Sequence, residues 1–71
     1  MRRHIVTSSV FKSVGYYLDD KILEVEFKET GEVWQYLNFP NLAYRKFVNA
    51  DSLGNFFTTR IKNKYKEVQR K

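Results

Sequence analysis

The 71 residues include no cysteine and a single histidine, so neither a disulfide nor a histidine–cysteine zinc site can brace the fold. Small domains commonly lean on such staples, because a short chain buries a smaller share of its surface than a long one. A dense core or self-association must take their place. Proline occurs once, at Pro40, and there is no repeat, low-complexity tract or proline-rich linker. No apolar run approaches the length of a membrane span. Met1-Arg2-Arg3 is not followed by the apolar stretch that a signal peptide requires. These absences lead to the expectation of one cytoplasmic domain with no membrane role.

Catalytic constellations are also missing. His4 stands in an exposed-looking N-terminus, and Ser8 and Ser9 have no base arranged near them to make a nucleophile. Asp19 and Asp20 share a turn, which does not supply the contrasting environments that paired acid–base carboxylates need. No enzyme activity, metal or cofactor is therefore expected.

What the chain does have is aromatic mass and lopsided charge. Six Phe, five Tyr and one Trp are available to build a dense core. The net charge is +5, and residues 1–51 are balanced, seven cations against seven carboxylates. The whole excess falls on residues 52–71, where Arg60, Lys62, Lys64, Lys66, Arg70 and Lys71 face only Glu67. Such polarity suits an anionic partner.

Residues 22–28 alternate, with Leu23, Val25 and Phe27 on one face and Glu24, Glu26 and Lys28 on the other, as in a half-buried strand. A short polar link follows, with Gly31 placed for a positive φ, and residues 33–39 read as the return strand. Upstream, residues 9–17 form a third strand with a bulge expected at Gly15, and Asp19-Asp20-Lys21 makes the turn. After Pro40 the period becomes helical. Residues 41–50 make one helix, Asp51 or Ser52 caps a second, and Phe57, Ile61, Tyr65 and Val68 give that second helix an apolar stripe to about Tyr65. Gly54 is expected to permit a close backbone approach, a bend or a distorted helix start. The predicted fold is α+β: a three-stranded antiparallel meander followed by two helices packed on one face, β-β-β-α-α. Phe27, Phe57 and Ile61 are expected in its core.

Ser8-Ser9, Val14-Gly15-Tyr16, Leu23 to Phe27, the aromatic pair Trp34-x-Tyr36 with a proline after it, Ser52-x-Gly54, Phe57, and Arg60-Ile61 through Tyr65 occur in a familiar order. Over residues 7–65 the chain resembles the KTSC domain, found at the C-terminus of some lysyl-tRNA synthetases and as a stand-alone small bacterial or phage protein. Residues 1–6 and 67–71 then fall outside the core as loose ends of a single domain spanning residues 1–71. The family centre is usually Tyr-x-Tyr, where this chain has Trp34-Gln35-Tyr36, and the middle of Ser-x-Gly is often basic, where this chain has Leu53. The resemblance implies an RNA-binding role only through the synthetase context.

Trp34 and Tyr36 point to the same side of their strand, as a stacking platform or as core, and a domain this small has few large residues to spare from its core. Glu24 and Glu26 on the outer face would repel phosphates in any case. The second helix offers Arg60 and Lys64 one turn apart, with Phe56 on the same flank and Lys62 and Lys66 on the far side. Such side chains can simply cover apolar surface and reach water. They can also contact phosphates while Phe56 stacks a base. The expected partner is nucleic acid, RNA rather than DNA, through Arg60, Lys62, Lys64, Lys66 and Phe56. The alternative is a protein-interaction module, either way as a monomer or weak homodimer.

Overall fold

Pro40 separates the central strands from the helices in three dimensions as it does in sequence. The structure, a computed structural model, describes residues 3–71. Strands β1 (His4–Ile5), β2 (Phe11–Tyr17), β3 (Ile22–Phe27) and β4 (Val33–Tyr36) precede the proline. Helix α1 (Asn41–Val48), helix α2 (Leu53–Phe56), a π-helical turn (Phe57–Ile61) and strand β5 (Glu67–Gln69) follow it. All five strands join one antiparallel sheet in the order β1-β2-β3-β4-β5. The expected three-stranded meander is its centre, and β1 and β5 flank it. Gly31 takes the anticipated positive φ, +75°.

Registers explain the two faces. Val14 pairs with Val25 and Tyr16 with Leu23 across β2 and β3, while Leu23 pairs with Tyr36 and Val25 with Trp34 across β3 and β4. These residues share the face that the helices cover. Phe11, Leu23, Val25, Phe39, Phe47 and Ile61 are wholly buried there. Phe57 packs its ring edge-on against Phe11, Phe27 and Tyr36, with centroids 5.2, 5.8 and 5.5 Å away. Such arrangements add to the value of burial. Phe57 and Ile61 are core as expected, but Phe27 is only half-buried: it packs against Phe11 and Phe57 and also lines an open cleft at the end of β3.

The opposite face is polar and stitched. Arg3 forms an ion pair with Glu24 and lies 3.9 Å from Glu26. Ser13 Oγ donates to Glu26 Oε1 at 2.8 Å, and Gln35 Nε2 donates to Glu24 Oε1 at 2.7 Å. Arg3 therefore ties a stretch expected to be loose; residues 1 and 2 of that stretch lie outside the described residues.

Three local readings are corrected. The bulge sits between Phe11 and Ser13, at Lys12, whereas Gly15 lies in regular register opposite Glu24. The second helix stops at Ile61 and does not reach Tyr65. Residues 67–69, expected to belong to a loose tail, form β5, with Val68 opposite Gln35.

The early stop has a visible cause. Thr58 and Thr59 turn their hydroxyls back onto the carbonyls of Gly54 and Asn55, at 2.9 and 2.8 Å. Back-bonding of this kind bends helices and competes with the regular ladder. The turn widens until Lys62 N–H bonds the Phe57 carbonyl, five residues back, at 2.8 Å. Lys62 then leaves helical backbone and Asn63 takes φ +64°. Asparagine tolerates that left-handed conformation better than most residues.

Candidate functional site

The sequence places Arg60, Lys62, Lys64 and Lys66 on one helix, and the structure disperses them. Only Arg60 is helical. Lys62, Lys64 and Lys66 follow in the exposed link to β5. Arg60 keeps the predicted neighbour, with its guanidinium carbon 6.0 Å from the centre of the Phe56 ring. That distance is within cation–π range.

Arg60 and Phe56 line a surface groove of about 290 Å³. Helix α1 contributes Leu42, Ala43 and Lys46 to it, and Tyr65 closes one side against Phe39, ring centroids 4.6 Å apart. No carboxylate lines the groove. Among the described residues the ion pairs are those of Arg3, so Lys46 and Arg60 are not neutralised by a carboxylate partner. Two cations thus flank partly exposed aromatic rings in an acid-free channel.

Lys46 and Tyr65 belong to this site although the sequence reading did not include them. By sequence spacing Tyr65 falls on the helical stripe, but the helix ends before it at Ile61. Lys46 lies on another helix, three residues after Ala43, which also lines the groove. Leu42 stands four residues before Lys46, which puts all three on one face of α1.

Lys62 lies elsewhere, on the wall of a second cleft that shares no lining residue with the groove. Trp34 and Tyr36 line that cleft too. Tyr36 is buried in the core as expected, while Trp34 is half-buried and donates its indole N–H to Glu32 Oε1 at 3.1 Å. Burial first, and then the neighbouring Glu67 carboxylate, push the Tyr36 hydroxyl well above its usual pKa. Burial also raises Tyr16 and Tyr44, whose rings stack at 4.9 Å.

Among the described residues no helix is long and apolar enough to cross a membrane. Comparison with known proteins places the whole arrangement. The profile of the KTSC domain matches residues 7–65. An uncharacterized protein of Stutzerimonas stutzeri (strain A1501) is 39% identical over 57 residues, covering 80% of this chain and 79% of the relative. The crystal structure of a KTSC domain protein from Yersinia pestis superposes with a TM-score of 0.94 at 38% identity, covering 99% of this chain and 97% of that one.

Proposed function

The chain belongs to the KTSC domain family, and from that premise we propose that it is a non-catalytic cytoplasmic domain that binds single-stranded nucleic acid, RNA in preference to DNA. The groove between α1 and α2 supports this reading, because it sets Lys46 and Arg60 beside Phe56 and Tyr65 with no carboxylate among its walls. Phosphates attract the two cations, and unpaired bases stack on aromatic or guanidinium faces. Lys64 and Lys66 flank Tyr65 in sequence and extend the positive field around the groove. Lys62 is left out of the interface, since it lines the other cleft.

The test is a salt titration of binding to a short labelled single-stranded RNA and its DNA counterpart. Counterion release makes affinity fall steeply with salt when phosphates are contacted. Absence of binding at low salt rejects the reading. The groove would then be reassigned to a protein partner, for which Leu42 on its wall, 62% exposed, offers an apolar contact.

A further inference from the structure

The second cleft has the opposite character. Its volume is about 440 Å³, within the range of small-molecule sites. Its walls are the rings of Phe27, Trp34, Tyr36 and Phe57, drawn from β3, β4 and the π-helical turn. Its rim carries Glu29, Glu32 and Glu67 against the single cation Lys62.

Each of these features selects for the same kind of ligand. Aromatic faces carry negative electrostatic potential, and tryptophan attracts a cation most strongly. Three carboxylates against one ammonium leave the rim negative, so a phosphate or other anion is repelled. A neutral ligand would gain nothing from these charges. The carboxylates are spread around the rim: among the described residues no three His, Cys, Asp or Glu side chains stand close enough to share a metal ion. A dispersed negative rim above an apolar floor suits a cation whose charge is carried on carbon and nitrogen. Glu32 also accepts the Trp34 indole N–H at 3.1 Å. That bond fixes the ring and leaves the second carboxylate oxygen for a ligand.

We propose that this cleft binds a small organic cation, an alkylammonium or alkylguanidinium whose head meets the Trp34 ring and the rim carboxylates while its stem rests on Phe27 and the exposed edge of Phe57. The site is independent of the RNA groove, so the outcome of the RNA titration does not bear on it.

Trp34 is the only tryptophan in the chain, so its emission reports on the cleft directly. The probes are butylguanidinium and butylammonium, with 1-pentanol as the neutral control. N-acetyltryptophanamide corrects for simple quenching. The expected result is a saturable change with both cations, weak or absent with pentanol, and reduced by added salt. The double variant Glu32→Gln/Glu67→Gln keeps hydrogen-bonding groups at both positions and removes two charges. It should weaken cation binding by about fivefold or more, as expected for two partly exposed ion pairs. Pentanol binding as well as the cations would reduce the cleft to an apolar hollow and overturn the proposal. So would equal cation binding by the double variant, or no saturable emission change together with unmoved amide resonances of Trp34 and Tyr36.

Discussion

A β-carbon added to Gly54 would stand 2.6 Å from Cγ2 of Val10. The first turn of α2 therefore rests directly on the segment that leads into β2, the close approach expected of this glycine. Valine is stiff about χ1 and cannot easily swing away. At so short a separation Gly54→Ala should cost about 2–3 kcal/mol through overpacking, offset by at most the roughly 1 kcal/mol that alanine gains over glycine in a helix, for a net loss of about 1–2 kcal/mol. Adding Val10→Ala should recover much of the loss. Urea denaturation midpoints of the two variants check this, and an unchanged midpoint for Gly54→Ala would contradict the contact.

Three aromatic rings converge on Phe57. Phe57→Ala should cost about 3–5 kcal/mol, a large part of the stability of a small domain. Phe27→Ala should cost less, because Phe27 is half-exposed at the cleft. Thermal or urea unfolding of both variants decides the order.

For RNA, contacts by Lys46, Arg60 and Lys64 would give a slope of log affinity against log salt of about −2. Lys46→Gln with Arg60→Gln should flatten it by about 1.4 units, whereas Lys62→Gln should leave it unchanged. Tyr65→Leu should weaken binding by about 1–3 kcal/mol if a base stacks there. Circular dichroism serves as the folding control. A slope moved by Lys62→Gln and not by the groove pair would place the interface on the wrong side.

Tyr36 gives a prediction at alkaline pH. Its folded-state pKa lies above the ordinary value of 10.0, so the folded protein holds this proton more tightly than the unfolded chain does. Stability linked to it is full below about pH 10 and is lost as pH rises from there through the folded pKa. Tyr36→Phe has no proton to lose and should show a smaller alkaline loss. Melting temperatures between pH 8 and pH 12 test the sign.

How much of this was legible in the sequence depended on locality. The alternation that becomes β3 and the passage at Pro40 from the meander to the helices involve neighbours in the chain, and both hold, although a further strand, β5, follows the helices. The long second helix does not, because Phe57, Ile61, Tyr65 and Val68 keep helical spacing while Thr58, Thr59 and Asn63 end the helix between them. Val68, flanked by Glu67 and Gln69, has strand alternation too short to outweigh a longer helical pattern. The groove was half legible: Arg60 and Phe56 share one helix, but Lys46 and Tyr65 reach it only through tertiary packing.

Strand β5 also decides what the sheet shows to other copies of the protein. Its neighbour β4 reads Val33-Trp34-Gln35-Tyr36, uncharged and rich in residues that favour strands. Backbone bonds from Arg70 to the Val33 carbonyl at 2.7 Å and from Leu37 to the Lys66 carbonyl at 2.9 Å hold the last strand along it. Removing residues 67–71 would turn β4 into an open edge, a template onto which a second chain could add its own strand. The sheet is instead bounded by the two-residue β1 and by the three-residue β5, which begins at Glu67 and is followed by Arg70. A segment that reads in sequence as a loose charged tail thus occupies, through hydrogen bonds, the edge that β4 would otherwise expose.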